Sequence, residues 1–148
     1  MSVTGPDSNK AAFGRVVEAA NSYDEELLST VVDDVFAPDA LIATPIPLEV
    51  QGPQAIKQVF ATLHRAFPDL HVKIEDAIAE GDRVVSRHTV TGTHLGGEYL
   101  GVAPTGKTVA YDEVFIVRFD RGRITQTWGL VDLMTQMKQL GVVAPPPD

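Results

Sequence analysis

The sharpest pattern in the chain is a strict alternation between positions 109 and 119. Val109, Tyr111, Glu113, Phe115, Val117 and Phe119 share one parity, and Ala110, Asp112, Val114, Ile116 and Arg118 the other. Successive strand side chains point to opposite faces, so this stretch predicts a strand with an apolar, aromatic face broken by one carboxylate, Glu113. A second strand is predicted over Arg83 to His94. Its even positions are Val84, Ser86, His88, Val90 and His94, and its odd positions Val85, Arg87, Thr89, Thr91 and Thr93. The even face is the more core-like. Leu70, Val72 and Ile74 alternate with His71, Lys73 and Glu75, a half-buried strand closed by the turn Glu80-Gly81-Asp82. After the turn Asp120-Arg121-Gly122, Arg123 to Gly129 predicts the last strand.

Ahead of these strands the period is helical. Phe13, Val16, Val17 and Ala20 predict a helix over 8–21 with Ser8 as its N-cap. Asp24 caps a second helix with the stripe Leu27, Leu28, Val31 and Val32, which Pro38-Asp39 should break before a short strand over 40–44. Gly52-Pro53 opens a third helix, with Ile56, Val59, Phe60, Leu63 and Phe67 on one face and His64 as a surface histidine beside them. Asp132 caps a short final helix that turns Leu133, Met137 and Leu140 inward and stops at Gly141. Residues 1–7 and 144–148 read as loose ends of a single domain over 1–148. Three helices followed by a strand meander predict an α+β fold, a curved and mostly antiparallel sheet packed on the helices around a concavity.

Composition narrows the function. A net charge of −8 without a basic run argues against nucleic acid. No apolar run approaches membrane-spanning length, no apolar signal region opens the chain, and a cytoplasmic protein is the default expectation. The chain has no cysteine, which removes disulfides and thiolate chemistry. His88 and His94 would lie about 20 Å apart along a strand, too far to share an ion, so no metal is expected. Neither L-G-G-E nor P-T-G-K forms a phosphate-binding loop, and no G-x-S-x-G elbow occurs.

General acid–base chemistry remains. Partial desolvation among apolar side chains is the usual way a carboxylate becomes a base near neutral pH, which makes Glu113 the leading candidate. The alternative is an ion pair between Glu113 and Arg87 or another cation. His88 is the better partner by face. Phe60, Leu63, Phe67, Tyr111, Phe115 and Val117 are expected to line a cavity for a flat or polycyclic molecule.

Larger pieces of sequence carry a resemblance. G-T-H-L-G-G-E-Y-L-G-V-A-P-T-G-K, the strand ending V-R-F-D-R-G-R-I, and W-G-L-V-D with K-Q-L-G resemble the SnoaL-like polyketide cyclases of the nuclear-transport-factor-two-like superfamily. F-A-P-D-A, Q-G-P-Q-A-I and F-P-D-L-H-V extend the likeness over nearly the whole chain. The resemblance implies a cone with a deep apolar cavity, commonly in a dimer. It also implies aldol ring closure by an acid–base aspartate, with neither metal nor organic cofactor. Where the cyclases carry W-D-x-x-D, this chain reads Trp128-Gly129-Leu130-Val131-Asp132, so Gly129 replaces the base and Asp132 doubles as a helix cap. Within this frame Glu113 takes over as base and His88 orients or polarises the substrate. Arg87, His94 at the pocket mouth and Gly129 would also contact it. The expected reaction is a cyclisation or isomerisation of a hydrophobic polyketide-like molecule. The alternatives are a non-catalytic binder or accessory protein, and an epoxide hydrolase-like water activator.

Overall fold

Residues 5–144 are described by the computed structural model, and the expectations for 1–4 and 145–148 lie outside them. Among the described residues the elements are α1 (Pro6–Ser22), α2 (Glu25–Val35), β1 (Phe36–Ala43), α3 (Pro53–Ala66), β2 (His71–Glu80), β3 (Arg83–Thr93), β4 (Thr108–Asp120), β5 (Arg123–Val131) and α4 (Leu133–Gln139). The strands form one sheet in the order β1-β5-β4-β3-β2. β1 runs parallel to β5, and the other pairings are antiparallel. Register shifts leave Glu75 of β2 and Thr125 of β5 as the extra residues of two bulges, which add twist and curl to the sheet. α1 lies on β2 and β3, α3 on β1, and α2 bridges the two helices, so one face of a curved sheet closes over helices in an α+β cone.

Several boundaries differ from expectation for physical reasons. α1 begins at Pro6, not Ser8, because proline needs no amide partner in a first turn and leaves no orphan donor there. α2 stops at Val35 and β1 starts at Phe36, so Pro38 and Asp39 lie inside a strand instead of between elements. β1 is an edge strand, where a residue without an amide proton is tolerated. β5 continues past Gly129 to Val131, paired with Glu113 of β4.

Exposed strand backbone is closed by side-chain carboxamides. Asn21 donates to the carbonyl of Val72 at 2.8 Å and accepts from its amide at 2.9 Å, standing in for a strand beside the edge strand β2. Gln51 meets both backbone groups of Ile42 on β1 in the same way. Gln139 meets those of Ala110, where β4 runs beyond its pairing with β5. Each removes an open edge that would otherwise be left to water or to another chain. The third also pins α4 to β4, which matters for the site.

Candidate functional site

Parity sorts the side chains as the alternation requires. On β3 Val84, Ser86, His88 and Val90 point inward, and on β4 Val109, Tyr111, Glu113, Phe115, Val117 and Phe119 do. The antiparallel register sets His88 directly opposite Glu113. His88 Nδ1 lies 3.0 Å from Glu113 Oε1, and Ser86 Oγ lies 2.7 Å from His88 Nε2. A carboxylate can only accept, so Nδ1 carries a proton toward Glu113, and Nε2 is engaged by the Ser86 hydroxyl. The imidazole packs against the rings of Phe13 and Phe115, with both centroids at 5.8 Å, and those two rings stand 6.5 Å from each other.

This hydroxyl–imidazole–carboxylate chain is not a nucleophilic triad. Ser86 is fully enclosed and does not reach the cavity, so no substrate can approach its oxygen. His88, 2% exposed, has both ring nitrogens engaged and serves to hold Glu113 in place. Glu113 keeps 14% of its side chain accessible, and its Oε2 has no hydrogen bond among the described residues. That oxygen is the one free to take a proton.

Glu113 lies on the wall of a cavity of about 90 Å³. Phe13 and Val16 of α1, Phe60 and Leu63 of α3, and Tyr111 and Phe115 of β4 supply much of the apolar surface. A cavity of ~150 Å³ is what admits benzene. The flat polycyclic ligand expected from sequence therefore does not fit inside. A ring enters only with lining side chains moving or with the remainder of the ligand left outside.

A second polar group faces Glu113 from the α4 side. Tyr99 and Tyr111 line the cavity, and burial pushes both phenols above their ordinary range, Tyr111 furthest. The nearby Glu113 carboxylate raises both further, and the Gln136 carboxamide lowers both. Gln136 is completely buried on α4 beside these phenols, yet neither its Nε2 nor its Oε1 completes a hydrogen bond of ordinary geometry.

Of the residues singled out from sequence, Glu113, His88, Phe60, Leu63, Tyr111 and Phe115 come together around this cavity. The others do not line it. Arg87 has the outward parity of β3 and pairs there with Asp76 at 2.7 Å, so it is not the partner of Glu113. His94, expected at the pocket mouth, is buried outside the cavity lining, with its Nε2 at 3.0 Å from the Gly97 carbonyl and its Nδ1 accepting from the Thr105 amide at 3.3 Å. It clamps the loop between β3 and β4. Phe67 is packed behind the cavity against His94 and Tyr99, and Val117 is enclosed in the core. Gly129 faces inward but is covered by the ring of Phe115, whose Cε1 stands 2.5 Å from where a Cβ would be. His64, expected on the helix surface, is half-buried and stacks on Tyr23 at 4.7 Å.

Sequence reasoning missed Phe13, Tyr99, Ser86 and Gln136. The L-G-G-E-Y segment held a usable signal. At Gly96 a Cβ would fall 1.7 Å from the carbonyl oxygen of Arg65, and the amides of Gly96 and Gly97 donate to Ala66 and Arg65. The two glycines dock this loop on the C-terminal end of α3 and thereby deliver Tyr99 to the cavity. Among the described residues no three His, Asp or Glu side chains converge as metal ligands. Among the described residues no helix is long and apolar enough to cross a membrane.

The family model of the SnoaL-like polyketide cyclases matches residues 10–140. The aklanonic acid methyl ester cyclase DauD of Streptomyces sp. (strain C5) is 25% identical over 136 residues, 90% of this chain and 82% of that one. Among solved structures, AclR from Streptomyces galilaeus superimposes with a TM-score of 0.78 at 28% identity, covering 97% of this chain and 87% of AclR. IdmH from Streptomyces antibioticus gives a TM-score of 0.75 at 30% identity, covering 90% and 99%. With this fold and these relatives, the chain belongs to the SnoaL-like polyketide cyclase family.

Proposed function

We propose that the protein is a cofactor-independent acid–base catalyst acting on a hydrophobic, polyketide-like carbonyl compound, with Glu113 as the base in place of the aspartate that Gly129 lacks. One observation carries this reading. Glu113 sits on an apolar wall with Oε1 held by His88 and Oε2 open. A general base must be fixed within reach of the proton it takes, and His88, locked by Ser86 and two aromatic rings, fixes it.

In the proposed reaction, Oε2 removes a proton from the carbon next to a carbonyl. The C–H electron pair becomes the C=C bond of an enolate, and the carbonyl π pair moves to oxygen. For isomerisation Glu113 returns the proton to a different carbon of the conjugated system. For ring closure the enolate carbon bonds to a second carbonyl carbon of the same molecule, and the new alkoxide takes the proton from Glu113. Both routes balance without an added oxidant or reductant.

The test is Glu113→Gln, which keeps shape and removes basicity. Deuterium uptake from heavy water beside the ketone of an aryl β-keto ester, followed by NMR, should slow by about 100–10,000-fold. Uptake unchanged in the variant would refute Glu113 as the base, and binding of the ester without any uptake by the native protein would favour a non-catalytic binder.

We also propose a homodimer through the outer sheet face. Ile78, Val85, Ile116, Trp128 and Ala43 are register partners in one apolar row across all five strands, beside Leu130, which is 76% exposed. The Arg87–Asp76 and Arg118–Asp82 pairs flank the row. An apolar band with a charged border suits a second copy of itself.

A further inference from the structure

Resting on the assignment of Glu113 as base, we infer that Tyr99 and Tyr111, backed by Gln136, form a hydrogen-bond-donating site for the carbonyl oxygen of the same ligand. The cavity wall is otherwise mostly apolar, and beside the Thr44 and Thr127 hydroxyls and His88 its polar groups are of complementary kinds. Glu113 can only accept, whereas the two phenols can donate. Among the described residues Gln136 is the side chain whose hydrogen bonding acts on both phenols, in the donating sense that leaves each phenol's own proton to a guest.

Gln136 is the observation that points to a ligand. A fully buried carboxamide that completes no hydrogen bond of ordinary geometry at either end is costly, and native proteins rarely tolerate it without a reason. It lies beside both phenols on a helix that Gln139 pins to β4. A small movement lets its N–H₂ group donate to the phenol oxygens, whose own protons are then directed at the ligand. Gln136 is a positioning residue, and the phenols make the contact. Burial keeps both phenols protonated, so they act as donors and not as anions.

The site also follows from the chemistry of the step. When Oε2 of Glu113 removes the proton, negative charge leaves the carboxylate and collects on the ligand oxygen. Donors placed across a small, poorly solvated cavity meet that charge where it develops, which is where such groups contribute most. The ligand class is therefore a ketone, or an enolised ketone, with its oxygen toward α4 and the adjacent carbon toward Glu113.

The experiment compares 4-fluoroacetophenone with 4-fluoro-α-methylstyrene, in which a methylene replaces the carbonyl oxygen at nearly equal shape. Both dissociation constants are read by ¹⁹F NMR. The carboxylate of Glu113 cannot bond a ketone oxygen, so the ketone-to-alkene affinity ratio reports the donors alone. The ratio should fall about tenfold in Tyr99→Phe and in Tyr111→Phe, and also in Gln136→Leu, with alkene affinity little changed. An unchanged ratio in the tyrosine and glutamine variants overturns the inference, as does a parallel loss of alkene affinity in all three. If the ratio behaves as expected but Glu113→Gln leaves deuterium uptake intact, the oxygen site stands and the base assignment fails. The reverse pattern keeps the base and removes the oxygen site.

Discussion

Adding one methyl group at Gly129 is the most direct probe of why this chain lacks the family's carboxylate. The Cβ of Gly129→Ala would stand 2.5 Å from Phe115 Cε1, 3.0 Å from Cζ and 3.2 Å from Cδ1. Carbon atoms pack favourably at about 3.5–4.0 Å, so the shortest contact overlaps by about 1 Å. The ring has to turn or the strands have to part. Turning it sacrifices the stack on His88, whose centroid is 5.8 Å away. Overpacking of this kind costs about 1–3 kcal/mol, which lowers Tm by about 2–12 °C in a chain of this size. Phe115→Ala removes the three atoms nearest the added methyl group. Glycine inside a strand is itself unfavourable by about 0.5–1 kcal/mol, so Gly129→Ala should then stabilise by that amount. The coupling energy across the cycle is therefore about 1.5–4 kcal/mol. Urea unfolding of the native protein, both single variants and the double variant measures it. A coupling within about 0.5 kcal/mol of zero would mean that the ring does not hold position 129 closed, and the argument would fail. The same contact means that Gly129→Asp alone cannot restore a cyclase-like carboxylate, because Phe115 occupies the space.

Two further outcomes are expected. Burial holds the His64 imidazole below its ordinary value of 6.5, against weaker opposing effects of the Ala20 backbone and Glu25. The unfolded chain therefore binds this proton first as pH falls, and stability should decline from about pH 6.5 downward. His64→Gln should flatten that slope between pH 7 and 5, while the losses tied to Asp69 and Asp132, both held below the usual carboxylate value of 3.8, lie at lower pH; an unaltered slope would remove His64 from the account. For assembly, static light scattering at micromolar concentration should give twice the chain mass, and Ile116→Glu should halve it. A native monomer whose Trp128 emission is that of a water-exposed indole would rule out the sheet-face dimer.

What the sequence determined by itself is local and periodic. Side-chain alternation is a property of any extended strand, so the inward directions of Glu113, His88, Tyr111 and Phe115 were legible before any pairing was known. The glycine, proline and aspartate signals at Gly52-Pro53, Asp24, Asp132 and Gly141 were legible for the same reason, since caps and turns involve only a few neighbouring residues. The α+β class followed from the order of these elements. Parity also bore on Arg87, because two residues opposite each other on antiparallel strands share a face. Once His88 points inward, Arg87 cannot reach Glu113.

Tertiary structure decided which inward residues meet. The β3–β4 register brings His88 to Glu113 across 25 positions of chain, and α1 adds Phe13 from a hundred residues before Glu113. Gln136 carries no periodic signal, and only the docking of α4 on β4 puts it behind Tyr99 and Tyr111. The same holds for Gly129. Its glycine identity stood in the sequence, but its cause is a ring on the neighbouring strand, at the register position opposite it. His94 illustrates the limit in the other direction. Its face was correctly inward as far as burial goes, yet hydrogen bonds to Gly97 and Thr105 commit it to the loop instead of the cavity. Direction along a strand is set by backbone geometry within a few residues, whereas proximity is set by how distant segments pack, and a catalytic site is made of proximity.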